Sequence, residues 1–130
     1  MRRITAEQLV YIFNHVYPEK PLNQPQLNID FINEIAESPF KLLEEQYVYR
    51  SILDQASHLI YRLTTSNIFG EKPIKFILTV LNVFLDINRI KIVCSQEEAD
   101  EFKEILITEN LNEIIIKDWL VKHARIITRG

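Results

Sequence analysis

The stretch Ser66-Asn67-Ile68-Phe69-Gly70-Glu71-Lys72-Pro73-Ile74-Lys75 gathers the residue types best suited to holding an anion. It runs into a segment, 74–87, whose only polar residues are Lys75, Thr79, Asn82 and Asp86, spaced four, three and four apart. That spacing draws one narrow polar stripe along an α-helix otherwise built of Ile, Phe, Leu and Val. The start of a helix exposes unpaired N–H groups and a partial positive charge, which together favour phosphate or carboxylate. Pro73 suits the first helical position, where its missing N–H costs nothing. Gly70 is one of only two glycines in the chain, and Lys75 places a cation in the first turn. The pattern points to an anion or phosphate pocket over 66–75, with Gly70, Lys72 and Lys75 as its binding residues. The plainer alternative is a tight interhelical turn, with Gly70 at positive φ and Lys75 laid along the surface.

Other reactive side chains form no constellation. His58 lies nine residues before Asn67, and His15 and His123 fall in the first and last helical segments. None of the three is expected to act as a base. No two histidines stand four apart, the spacing that lets two imidazoles share a zinc ion on one helix. Cys94 has no activating neighbour in sequence and is expected to pack as a small hydrophobe. Trp119 and the five tyrosines lack interleaved basic residues, so they suit a core and its rim better than a base-stacking surface.

Helical periodicity supplies the elements that must position these residues. Thr5-Ala6-Glu7-Gln8 fits a capping box, followed by a stripe of Ala6, Leu9, Val10, Phe13 and Tyr17. Pro18, Pro21 and Pro25 stop that helix and make 18–28 a stiff loop. Ile29, Ile32, Ile35 and Ala36 form a second stripe, ended by Pro39. Residues 39–50 fit neither period. Ser51 to Leu63 is an amphipathic helix, and 74–87, apolar around most of its circumference, is expected at the centre of the domain. Asn88 suits a left-handed C-cap. Ile90, Ile92 and Cys94 alternate, which allows one short extended segment near 89–94. Ser95-Gln96-Glu97-Glu98 is a second capping box, opening a helix whose acidic run to Glu104 is a solvated face. Asn110 or Asn112 caps the last helix, where Lys122, Arg125 and Arg129 suit the C-terminal dipole.

The expected fold is therefore all-α: a compact bundle of about six helices around a buried central helix, in one domain over 1–130. Composition narrows the function classes. The chain has 130 residues, 47% hydrophobic and 25% charged, which suits one globular core. A net charge of −3 gives no electrostatic footprint for duplex nucleic acid. Two glycines leave little for Gly-rich nucleotide loops, and one cysteine excludes a disulfide framework. No stretch reaches the roughly 18 apolar residues that span a bilayer. Met1-Arg2-Arg3-Ile4 is followed at once by polar residues, so no targeting signal is expected, and a cytoplasmic, reducing location is the default.

Asn67-Ile68-Phe69-Gly70-Glu71-Lys72-Pro73-Ile74-Lys75, with the apolar helix ending Phe84-Leu85-Asp86-Ile87-Asn88, resembles the signature region of the Fic/Doc (Fido) family, specifically the short Doc, or death-on-curing, toxins. The family pattern is His-x-Phe-x-(Asp/Glu)-(Gly/Ala)-Asn-(Gly/Lys)-Arg, opening a buried helix that ends in Asn-Gly. The order of the flanking helices and the chain length are also Doc-like. The resemblance implies a toxin of a toxin–antitoxin pair that transfers phosphate or AMP from ATP, with Mg²⁺, to a hydroxyl of a translation protein such as elongation factor Tu. It implies a small antitoxin partner as well.

Residue by residue, the motif departs from that pattern where the chemistry is done. Asn67 stands at the general-base histidine, and a carboxamide accepts no proton near neutral pH. Phe69 keeps the family phenylalanine as a core anchor. Glu71 keeps the acid that would hold Mg²⁺. Pro73 stands at the phosphate-orienting asparagine and offers neither side-chain amide nor N–H. Lys75 replaces the arginine and loses its bidentate fork. Arg89 replaces the glycine after the helix. Losing a general base alone removes about 10²–10⁴-fold of rate. The expected function is a degenerate Doc-like pseudoenzyme acting as a binding or regulatory module. The alternatives are an active Doc-type toxin, with ATP and Mg²⁺ as ligands if the pocket works, and a helical scaffold of unrelated origin.

Overall fold

Residues 2–19 and 28–128 are described by a computed structural model, and they form six α-helices and two short antiparallel strand pairs. Helix α1, Ala6–Val16, opens on the expected capping box: the Thr5 hydroxyl accepts from Gln8 N at 3.2 Å, and the Gln8 carboxamide accepts from Thr5 N at 2.9 Å. It buries Ala6, Leu9, Val10 and Phe13. Pro18 follows in an exposed turn, whereas Pro21 and Pro25 lie outside the described residues. Helix α2, Ile29–Glu37, is capped by Asn28, whose side chain accepts from Phe31 N at 3.1 Å, and it buries Ile32, Ile35 and Ala36. A 3₁₀ turn, Ser38–Phe40, then brings Pro39 and Phe40 into the core.

Residues 42–47, which fit neither period, form a small hairpin. Strand β1, Leu42–Leu43, pairs with β2, Gln46–Tyr47, across a two-residue turn. Both turn residues are left-handed, Glu44 at φ 53 and Glu45 at φ 67. That is the backbone of a type I′ turn, which Asn-Gly favours and two glutamates oppose. Replacing Glu44→Asn and Glu45→Gly together should raise stability by about 1–2 kcal/mol, read as a higher midpoint in urea unfolding.

Helix α3, Ile52–Thr65, holds the centre. It buries every residue from Gln55 to Ile60 and packs against α2, the 3₁₀ turn, α4 (Ile74–Ile87) and α6 (Glu113–His123). The expectation that 74–87 is the central helix is corrected. Helix α4 buries Phe76, Ile77, Val80, Leu81, Phe84 and Leu85 against α1, α3 and β3 (Ile90–Ile92) but leaves Lys75, Asn82 and Asp86 in solvent. Its polar stripe is an outer face. Phe76 sits at the centre of an aromatic cluster, its ring centroid 5.3 Å from Phe13 and 4.7 Å from Phe69.

Asn88 ends α4 but is not itself left-handed; Arg89 is, at φ 62. The Asn88 side chain has a different task. Its Oδ1 accepts from Arg2 N at 2.8 Å and its Nδ2 donates to Arg2 O at 3.0 Å, tying the N-terminal segment to the end of α4. Arg89→Gly should therefore stabilise the fold by about 1 kcal/mol, whereas Asn88→Gly should not. Thermal unfolding of the two variants separates them.

The extended segment expected near 89–94 is β3. It pairs antiparallel with β4, Ala124–Ile126, in the register Ile90↔Ile126, Lys91↔Arg125, Ile92↔Ala124. This partner strand corrects the C-terminal reading: the last helix stops at His123, Arg125 is a strand residue, and Arg129 lies outside the described residues. Cys94, expected to pack, falls beyond the pairing and is exposed. Helix α5, Gln96–Ile107, opens on the second capping box, with Ser95 and Glu98 bonded reciprocally at 2.9 and 3.2 Å. It exposes Glu97, Asp100, Glu101 and Glu104 and buries Phe102 and Leu106. Asn112, not Asn110, caps α6. Trp119 of α6 stacks on Phe102 with centroids 4.3 Å apart, locking α5 to α6. Among the described residues no helix is long and apolar enough to cross a membrane.

Candidate functional site

The motif stretch is the connection between α3 and α4. Helix α3 ends where Ser66 N donates to Arg62 O at 3.0 Å, and the chain then reverses through three left-handed residues, Asn67 (φ 58), Gly70 (φ 100) and Lys72 (φ 49). A hydrogen bond from Gly70 N to Asn67 O, 3.1 Å, closes the turn. Asparagine tolerates this conformation better than most residues, which gives Asn67 a backbone role while its side chain faces solvent. Gly70 meets the demand of its φ alone, since open space lies where a Cβ would stand. Phe69 pins the loop: it is buried, 5.5 Å centroid to centroid from Phe13 and 4.7 Å from Phe76.

The three residues expected to hold an anion diverge. Lys72 Nζ donates to the Ile107 carbonyl at 2.5 Å. It thereby neutralises the C-terminal end of α5, where a cation is favoured. Lys75 is exposed on the outer face of α4, and Gly70 is exposed at the loop tip. Pro73 caps α4 without any side-chain hydrogen bond, and no acidic residue stands in the first turn. Glu71 is exposed. Among the described residues no group of three or more His, Cys, Asp or Glu side chains could hold a metal ion. These residues do not fit Mg–ATP: the amide at 67 is no base, position 73 has no donor, and the nearest lysine is committed to a helix end.

The densest polar chemistry lies elsewhere, along one stripe of α3. Asp54, His58 and Arg62 are each four residues apart and so share a face. Each finds a partner on another element. Lys117 Nζ of α6 lies 2.6 Å from Asp54 Oδ1. Glu113 Oε1, one turn earlier on α6, lies 2.7 Å from His58 Nδ1. Arg62 forks onto Glu34 of α2, Nη1 to Oε1 at 2.9 Å and Nη2 to Oε2. Tyr49 stacks on the His58 imidazole, 4.2 Å between centroids. The spacing of Glu113 and Lys117 on α6 matches that of His58 and Asp54 on α3 with the opposite chain direction. That match is the signal in the sequence which could have exposed this ladder.

Its electrostatics follow from the contacts. The bond from Arg62 holds the Glu34 carboxyl below its usual range, against a smaller opposing effect of burial. Burial pushes Asp54 up, but the bonds from Lys117 and Ser51 outweigh it and leave the group lowered. Burial and the Glu113 charge raise the Tyr49 phenol. An imidazole oriented by a carboxylate can act as a base, yet His58 is buried between Tyr49 and Glu113 and ties α6 to α3. The ladder joins three helices. His15 stacks on Tyr11 at the surface, and His123 lies tilted against Trp119 with Nε2 3.5 Å from Glu98 Oε2. No family model matches the chain, and no curated protein or solved structure does either.

Proposed function

We propose that the chain is a non-catalytic binding or regulatory module of the cytoplasm, a degenerate relative of the Doc-type toxins whose transfer chemistry has been lost. One observation carries this reading. The segment equivalent to the Doc motif is held by Phe69 in the core and by Lys72 on the Ile107 carbonyl, while Asn67 faces solvent in a left-handed turn. Each is a structural duty, and none leaves a base or a phosphate clamp in place. On this reading the partner is a protein, of the small antitoxin kind or a translation factor.

The test is transfer of label from radioactive ATP to elongation factor Tu in the presence of Mg²⁺. No transfer above the protein-free rate is expected. Robust transfer overturns the proposal and restores the active-toxin alternative. The combined change Asn67→His, Pro73→Asn and Lys75→Arg should restore nucleotide binding only weakly, because Lys72 remains engaged with α5. Binding restored to full strength, measured by titration calorimetry, would show that the pocket geometry had survived.

A further inference from the structure

Strand β3 gives one edge to β4 and leaves the other without a partner strand. Along an antiparallel pair, residues turn their N–H and C=O towards the partner and away from it in alternation. Val93 N donates to His123 O and Ile127 N to Arg89 O, both at 2.8 Å. Arg89, Lys91 and Val93 are therefore the residues that turn towards β4. Ile90 and Ile92 turn their backbone groups the other way. Among the described residues nothing bonds to those outward N–H and C=O groups.

This open edge borders a depression of about 410 Å³. The outer face of α4 contributes Asn82, Val83 and Asp86 to it, and β3 contributes Ile90, Lys91 and Ile92. The outer edge of β4 is less available, because Ala124 N is already spent on Leu120 O at the end of α6. A row of unmet N–H and C=O groups beside open space is a template for an added strand. Side chains decide which strand fits. Lys91 stands opposite Arg125 in the register, so the two cations share the face away from Ile90 and Ile126, where like charges oppose each other. Among the described residues neither forms an ion pair with a carboxylate. A residue entering opposite Lys91 lies on that same face, and a carboxylate there relieves the repulsion. Its two neighbours in the strand fall on the Ile90 and Ile92 face, where β-branched apolar side chains pair best.

We propose that the outer edge of β3 takes up an extended segment of a partner protein as a third strand. Its Asp or Glu stands opposite Lys91, between β-branched apolar residues opposite Ile90 and Ile92. The unmet backbone groups select the class of occupant, and the cation pair selects its sequence. A second copy, pairing β3 on β3 about a two-fold axis, would gather Lys91 and Arg125 of both copies on one sheet face and compound the repulsion. A nucleic acid carries no peptide ladder to complete the edge. The inference rests on reading the chain as a binding module, and not on its likeness to the Doc motif.

The free chain gives the first result. Amide exchange followed by NMR should be fast at Ile90 and Ile92 and slow at Lys91 and Val93; equal protection at all four overturns the proposal. The probe is a phage-displayed library of random 12-residue peptides, selected on the full chain. Enriched sequences should carry Asp or Glu flanked by Val, Ile or Thr. A synthetic peptide from the selection should slow exchange at Ile90 and Ile92. Methylating alternate backbone nitrogens of that peptide should abolish binding when they are the ones facing β3 and spare it when they are the others. Lys91→Glu should weaken the peptide about fivefold. Ile92→Pro removes an N–H that the fold does not use, so binding should be lost with the circular dichroism unchanged. If that variant fails to fold, the two methylated peptides still decide. No enrichment, enrichment of basic sequences, or equal binding of both methylated peptides overturns the proposal. So does a dimer in sedimentation that protects Ile90 and Ile92, or a single-stranded oligonucleotide that displaces the peptide. Transfer of label from ATP would contradict the function proposed above and leave these outcomes standing, so the two failures are distinguishable.

Discussion

Phe76→Ala should lower the unfolding free energy by about 3–5 kcal/mol, measured by urea denaturation. Phe76 is fully buried and touches both Phe13 and Phe69, so its removal opens a cavity where α1, the motif loop and α4 meet. A domain of this size has only about 5–15 kcal/mol to lose. The control is a neighbouring position in the same loop. Asn67→Gly preserves the left-handed turn and removes only an exposed amide, so its effect should stay within about 0.5 kcal/mol. A large loss at Asn67 would mean that its side chain does more than permit the turn.

The second large effect belongs to the α3 ladder. His58→Ala removes the stack on Tyr49 and leaves Glu113 half-buried without its bond, at a cost of about 2–3 kcal/mol. The ladder also sets a pH dependence. Glu34 and Asp54 titrate lower in the folded chain than when unfolded. Their contribution is therefore complete above the ordinary carboxylate range and is lost as pH falls through their lowered values. Stability followed from pH 7 down to about pH 3 should decline, and Asp54→Asn should flatten part of the decline. The Glu34 side chain is 54% exposed against 28% for Asp54, so its pairing is the more screened, and Glu34→Gln should alter the curve less than Asp54→Asn.

Local signals in the sequence translated well into helix starts. Thr5 with Gln8 and Ser95 with Glu98 form both bonds of a capping box, because those bonds connect residues only three apart and need nothing from the rest of the fold. The alternation of Ile90 and Ile92 identified a strand for the same reason. Its partner was hidden. Ala124-Arg125-Ile126 carries a cation where a helix C-terminus welcomes one, and only the distant register with β3 makes it extended. The hairpin at 42–47 was hidden by Glu44-Glu45, a pair that advertises no tight turn.

The central helix shows the limit most clearly. Apolar content singled out 74–87, yet α3 occupies the middle of the fold. The sequence did not single out Asp54, His58 and Arg62 as a group, because a charge satisfied by another helix and a charge satisfied by water look alike there. At the motif, residue types alone left the phosphate pocket and the interhelical turn both open. The Ile107 carbonyl that engages Lys72 is thirty-five residues away, beyond the reach of any local pattern.

The central claim is that residues 67–75 serve the fold and bind no nucleotide. Titration calorimetry of the full chain with ATP and Mg²⁺ tests it most directly. No saturable heat is expected at millimolar nucleotide, and the resonances of Gly70, Glu71 and Lys75 should not move. Saturable binding at micromolar ATP, with those three resonances shifting together, would contradict it.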